Sequence, residues 1–191
     1  MRKRITSLLL TLVMLLSLVP AMGVTALAAS GDGSEGNPLV VSTYEEWKDA
    51  MQQSGETYIK LGADIDTSKM NGGFGLGSGS WVRVQSDIHL DLNGKKLTLL
   101  KSKIMGDSDD RSCFIMVLKG SLTIEDTQGG GEIIGSNQAA QQYMQLIEVR
   151  EGSTLTLNSG KLHLAAGDGT YSPNAAIRFE GTVKINGGTV S

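Results

Sequence analysis

The 191-residue chain is short of cysteine, proline and aromatic side chains: it has 1 Cys, 3 Pro and 5% Phe, Trp and Tyr. With Cys113 alone, no internal disulfide can form, and its distance from the amino terminus excludes a lipoprotein attachment point, so the fold must stand without bridges. Cys113 opens the apolar run Cys113-Phe114-Ile115-Met116-Val117-Leu118, where a thiol packs as a small hydrophobe better than it serves as a nucleophile. Few aromatics beside 25 Gly suit many short strands and turns better than a helical bundle. Beyond residue 4 there is no run of Lys or Arg and the formal charge is -3, which removes the electrostatic footprint of a DNA or RNA binder. Beyond residue 28 no long apolar stretch remains to enter a membrane.

What is present begins with Arg2, Lys3 and Arg4, an apolar stretch over residues 5–19 broken by Pro20, and the small-x-small signal Ala26-Leu27-Ala28. This is the pattern of a secretory signal peptide over residues 1–28, with a mature start at Ala29 and an extracellular or cell-surface destination. An uncleaved anchor is the competing reading of the same stretch, and Pro20, Gly23 and the alanine-rich end favour cleavage. Losing those three cations from 17 Lys+Arg while all 20 Asp+Glu remain takes the charge to about -6, an acidic exterior.

Residues 29–37, with SGDGSEGN, read as a flexible lead-in, followed by a short strand to Val41. A helix over residues 43–53 is expected next, with Ser42 and Glu45 or Thr43 and Glu46 as a capping box and Gly55 as the stop. Tyr44, Trp47 and Met51 form its apolar stripe, so Trp47 is expected in the core and not as a sugar platform.

From residue 88 onward a short pattern recurs. Leu90-x-Leu92-x-Gly94-x-x-Leu97-x-Leu99 aligns with Ile115-x-Val117-x-x-Gly120-x-Leu122-x-Ile124, with Ile147-x-Val149-x-x-Gly152-x-x-Leu155-x-Leu157 and with Ile177-x-Phe179-x-Gly181-x-Val183-x-Ile185, the glycines 26, 32 and 29 residues apart. The last three copies run on through a glycine corner to a third strand, starting at Gly131, Gly160 and Gly188. Asn93-Gly94 between leucines is also a hairpin signal, so an antiparallel sandwich competes. Three strands per copy count against a meander, which would reverse at every repeat and give equivalent residues different surroundings. Charge counts against it too. Stacked copies put Asp91, Met116, Glu148 and Arg178 in one outward column and Asn93, Leu118, Arg150 and Glu180 in another, so that Glu148 meets Arg178 and Arg150 meets Glu180. A further column reads Thr98, Thr123, Thr156, Lys184. The pattern therefore predicts an all-β parallel solenoid over residues 38–191, with the amphipathic helix capping its first coil and the last coil left incomplete or uncapped.

The repeats, the capping helix and the phrases LDLNGKKLTL, LTIEDTQGGGEI and LTLNSGKLHL resemble the right-handed parallel β-helices of pectin-lyase-like architecture, as found in secreted or surface proteins of Gram-positive bacteria. The resemblance implies one of two chemistries: clustered aspartates that activate water, or Ca²⁺ held by acidic residues with an Arg base for elimination. The residues offer neither. His89 and His163 lack flanking glycines, and the one paired aspartate, Asp109-Asp110, lies in a loop. With Asp107 that loop supplies hard oxygens suited to Ca²⁺, yet its spacing matches no EF-hand, and no cofactor is expected. Glu148 with Arg178 reads as surface ion pairing, His163 as a solvated strand residue, and Gly72 to Gly79 as a flexible insertion without the Lys of a phosphate cradle.

The irregular segments over residues 105–112, 135–144 and 165–174 each join a third strand to the next first strand, so they are expected to emerge from one corner and stack as a ridge. That ridge offers Asp107, Asp109, Asp110, Gln138, Gln141, Asp168 and Tyr171, with Asn137, Gln142 and Tyr143 beside them, a mixture of carboxylate, amide and ring suited to sugars. The expectation is a secreted, non-catalytic scaffold that adheres to extracellular polysaccharide or cell-wall glycan, with self-association open to it through the last coil. The alternative is the front of a polysaccharide lyase or glycoside hydrolase.

Overall fold

The computed structural model describes residues 29–67, 82–101, 112–137, 144–165 and 175–191. The expected signal peptide and the glycine-rich insertion lie outside the described residues. The chain is mostly β, with fifteen strands among the described residues: β1 (Leu39–Val41), β2 (Thr57–Leu61), β3 (Ile65–Asp66), β4 (Val82–Val84), β5 (Asp87–Asp91), β6 (Lys96–Lys101), β7 (Ser112–Val117), β8 (Ser121–Glu125), β9 (Glu132–Asn137), β10 (Met144–Val149), β11 (Thr154–Leu157), β12 (Lys161–Ala165), β13 (Ala175–Phe179), β14 (Thr182–Ile185) and β15 (Thr189–Val190). They form three sheets: sheet 1 in the order β1-β2-β5-β8-β11-β14, sheet 2 as β13-β10-β7-β4 and sheet 3 as β15-β12-β9-β6-β3. From β4 onward the chain visits sheets 2, 1 and 3 in rotation, and from β5 onward each strand pairs in parallel with the strand three before it. No barrel closes. The arrangement is compatible with a β-helix solenoid and excludes the antiparallel sandwich, because β5 and β6 belong to different sheets and Asn93-Gly94 is a corner and not a hairpin.

Registers carry like residues onto like residues. Ile59, Leu90, Ile124, Leu157 and Ile185 form one ladder in sheet 1, Val84, Val117, Val149 and Phe179 one in sheet 2, and Ile65, Leu97, Ile133, Leu162 and Val190 one in sheet 3. These inward columns make up much of the core, and burial of each large member stabilises by roughly 1.5–3 kcal/mol. Only the final members stand open: Phe179 is 61%, Ile185 50% and Val190 40% exposed, because no described strand lies beyond them.

One expectation is corrected. The first aligned copy is displaced by one strand: the segment in register with β7 is Val82–Val84, and Leu90 and Leu97 continue into sheets 1 and 3. The slip has a physical source. The corner after β4 is Gln85-Ser86, with no glycine, whereas β5 and β6 flank Gly94 at the spacing that β7 and β8 show around Gly120. Gly120 is needed there, with φ +74° and a Cβ position 2.6 Å from Ser86 O. Asp91 consequently sits between Lys60 and Glu125, Met116 between Arg83 and Glu148, and Thr98 beside Asp66 and Ile134. Within residues 29–37, Ser30 O accepts from Val40 N–H at 2.7 Å and Gly33 O from Tyr58 N–H at 2.8 Å.

Helix α1 (Tyr44–Met51) starts at the N-cap Thr43, whose hydroxyl accepts from Glu46 N–H at 3.3 Å while the Glu46 carboxylate accepts from Thr43 N–H at 3.1 Å. It packs on β1, β2 and β4, the opening strands of sheets 1 and 2, with Trp47, Ala50 and Met51 buried and Tyr44 half-buried. The indole N–H of Trp47 has no acceptor among the described residues, so its contribution is apolar. We expect Trp47→Ala to cost about 3–5 kcal/mol and Trp47→Phe much less, read as melting midpoints by circular dichroism. Equal midpoints for Trp47→Ala and the parent would show that the helix does not seal the core.

Candidate ligand-binding face

The strands fix where the expected ridge begins and ends. Lys101 lies in register with Asn137, Ser136 with Ala165, Ser112 with Met144 and Gln145 with Ala175, so all three connecting segments leave sheet 3 and enter sheet 2 at one corner. The ridge residues themselves, Asp107, Asp109, Asp110, Gln138, Gln141, Asp168 and Tyr171, lie outside the described residues, as do Gln142 and Tyr143. The Ca²⁺ candidate falls with them. Among the described residues no group of three or more potential ligands is placed to hold a metal.

The charge ladder on sheet 2 stands as the pattern predicts. Arg178 Nη1 lies 2.8 Å from Glu148 Oε1 and Arg150 Nη1 is 3.3 Å from Glu180 Oε2, while just beyond β11 and β14 of sheet 1 Asn186 Nδ2 donates to Asn158 Oδ1 at 2.8 Å. Cross-links close the group, with Arg150 also 3.4 Å from Glu148 and Arg178 3.1 Å from Glu180. The Glu148 side chain is only 3% exposed, so it depends on these guanidiniums for compensation, and each guanidinium is shared by two carboxylates. Such a closed network suits rung-to-rung registration better than proton abstraction. His163 is half-buried and its Nδ1 meets Ser191 Oγ at 2.9 Å.

On sheet 1 the outward residues form columns that sequence alignment missed in part. One column runs Asp87, Ser121, Thr154, Thr182 and its neighbour runs Tyr58, His89, Thr123, Thr156, Lys184. Thr98, expected in the second, is replaced by His89 because of the one-strand displacement. Successive members stand about 4.8 Å apart across strands and about 6.6 Å apart along them, so Ser121, Thr123, Thr154, Thr156 and Thr182 make a hydroxyl lattice, in which Ser121 donates to Asp87 Oδ1 at 2.7 Å. Four of the five are β-branched threonines, which are stiff at χ1, so the lattice is preorganised. Thr123, Thr154 and Thr156 are half-buried and Thr182 is exposed.

At the β2 end of this face the Tyr58 and His89 rings stack with centroids 4.2 Å apart and planes 5° apart. Each ring spends one face on the other, so the pair is no open platform for a sugar. Glu56 joins them, its Oε1 3.2 Å from His89 Nε2 and 3.3 Å from the Tyr58 hydroxyl. These residues are 31 or more positions from one another except for Glu56 and Tyr58, and no local motif marks the contact. The corner beside them is braced by carboxylates. Asp126 accepts from Gly94 N–H and Gly131 N–H, both at 2.7 Å. Asp91 accepts from Asn93 N–H at 2.8 Å, from Thr127 N–H at 3.0 Å and from the Thr127 hydroxyl at 2.7 Å, with Lys60 Nζ at 3.4 Å.

No family model, no curated protein and no solved structure matches this chain.

Two measurements probe this geometry. Burial opposes ionisation of Asp91, but the Thr127 and Asn93 donors and the Lys60 charge outweigh it and hold the carboxyl below its ordinary value of 3.8. A carboxyl depressed on folding stabilises above its unfolded pKa, and that contribution is lost as pH falls through its folded pKa. Asp91→Asn should therefore lower the urea midpoint at neutral pH, with the gap to the parent closing in acid; a gap constant with pH would assign the effect to shape alone. For the sheet 2 network, a double-mutant cycle of Glu148→Gln and Arg178→Gln should return a coupling of about 1 kcal/mol or more. Additive losses would mean that the pair does not hold the rungs together.

Proposed function

We propose that the chain is a right-handed parallel β-helix of pectin-lyase-like architecture, exported by its amino-terminal signal, that acts as a non-catalytic extracellular scaffold adhering to polysaccharide. The observation that carries the binding role is the hydroxyl lattice on sheet 1. A rigid array of Ser121, Thr123, Thr154, Thr156 and Thr182 matches what a glycan needs, since sugar hydroxyls hydrogen-bond at short repeated intervals and a stiff surface loses little entropy on binding them. The fold assignment is supported by three parallel sheets visited in rotation and by the stacking of like residues. Export is supported by the basic and apolar pattern of residues 1–28 and by the acidic balance of the remainder. The open rim of the last rung, with Phe179, Ile185 and Val190, is where self-association would take place.

The ridge at the corner between sheets 3 and 2 is a second candidate surface, favoured by the common register of the strands that flank it. Substitution separates the two. Thr123→Val, Thr154→Val and Thr156→Val together keep the β-branched shape and remove three hydroxyls; retention of the chain on insoluble polysaccharides should fall about tenfold, or about 1.4 kcal/mol, with the melting midpoint held. Loss on Tyr171→Ala or on triple alanine substitution of Asp107, Asp109 and Asp110, with the threonine variant still bound, would move the site to the ridge. Release of unsaturated or reducing-end products would replace the scaffold by the lyase or hydrolase.

A further inference from the structure

The same face carries more negative charge than a neutral glycan requires. Asp87 and Glu125 stand in register with Ser121 and Asp91, Glu56 caps the Tyr58 and His89 stack, and Glu35 lies close enough to Tyr58 to act on its hydroxyl. Burial first, and then the charges of Glu56, Glu35 and Glu125, hold the Tyr58 proton above its usual pKa, a sign of negative potential at this end of the face. Compensation is slight. Lys60 is engaged with Asp91 at 3.4 Å, Asp87 accepts only the neutral Ser121 hydroxyl at 2.7 Å, and Lys184 stands two strands beyond Glu125, about 12 Å away, outside a Debye length of about 8 Å at physiological salt.

A polymer of uronic acids laid over this face would bring carboxylates against carboxylates, while ammonium groups on separate sugar rings would meet Asp87 and Glu125, whose strand positions are about 14 Å apart, as the ring hydroxyls met the threonines. Resting on sheet 1 as the glycan face, we infer that its ligand is an amine-bearing polysaccharide, a partly de-N-acetylated hexosamine polymer, and that Asp87 and Glu125 set this preference and exclude polyuronates. A basic polypeptide would satisfy the carboxylates but leave the hydroxyl lattice over β8, β11 and β14 without partners. The glycan carries both groups, hydroxyls on every sugar unit and an ammonium on each de-N-acetylated one.

The test uses the purified chain with three probes: chitosan, its acetylated parent chitin, and polygalacturonate. Chitosan should bind about tenfold tighter than chitin, about 1.4 kcal/mol, and lose that margin in about 0.5 M salt, whereas polygalacturonate should not retain the chain. Asp87→Asn with Glu125→Gln should abolish most of the margin at an unchanged melting midpoint. Equal retention on chitin and chitosan, retention on polygalacturonate, or a margin untouched by the double substitution would each overturn the inference while leaving sheet 1 as the glycan face, provided the threonine variant still loses binding. Displacement of the chain from chitosan by polylysine at lower amine concentration would assign the face to a basic polypeptide. Retention on none of the three polymers would defeat the glycan face and the inference with it.

Discussion

Everything in this structure depends on parallel pairing of one rung with the next in three sheets at once. A strand displaced by one residue in sheet 1 would turn Leu90 or Ile124 outward and carry its outward neighbours into the core. Because each strand is flanked by corners shared with the other two sheets, a slip in one would drag all three out of register. The apolar columns, the Glu148 and Arg178 contact and the Asn158 and Asn186 contact are all consequences of this single alignment, and each in turn penalises its loss.

The corners bear the cost of that regularity. At about 4.8 Å between strands there is no room for a side chain where one corner crosses the next, which is why Gly120 lies against Ser86. Elsewhere the corner between sheets 1 and 3 is closed by side chains, with Asp126 holding the amides of Gly94 and Gly131 and Asp91 those of Asn93 and Thr127. Those carboxylates are used within the corners, whereas Glu125 and Asp87, the latter accepting from the Ser121 hydroxyl at 2.7 Å, stand along the strands of sheet 1. Residues of the same chemical type are thereby set either into the corners or along the strands by where the backbone places them.

The two ends of the stack differ. Helix α1 closes the first with Trp47 and Met51 in the core, while the last rung leaves the terminal members of three apolar columns open. In a repeat built of nearest-neighbour contacts each interior rung is buried by the rungs on either side, whereas the first described rung needs another apolar cover. The helix supplies this at one end through a single amphipathic stripe, with its N-terminus fixed by the Thr43 and Glu46 box.

Much of this was legible in the sequence. The alternation of Leu, Ile and Val with polar residues, the recurring glycines and the odd strand count imply a parallel stack, and the opposite charges at Glu148, Arg178, Arg150 and Glu180 imply its register in the last two rungs. The first copy was misjudged because Leu90-x-Leu92 and Leu97-x-Leu99 around Gly94 have the spacing of strands one sheet earlier, and local spacing carries no record of which sheet a strand joins. The candidate site was less legible still: the ridge could be anticipated only as a list of loop residues, and the stack of Tyr58 on His89 involves residues brought together by register alone. Sequence by itself determined which side of each strand is apolar, because alternation is a property of neighbouring residues. Only the tertiary structure decided which outward side chains become neighbours, because that depends on pairing between strands some thirty residues apart, and with it came the hydroxyl lattice and the carboxylates that border it.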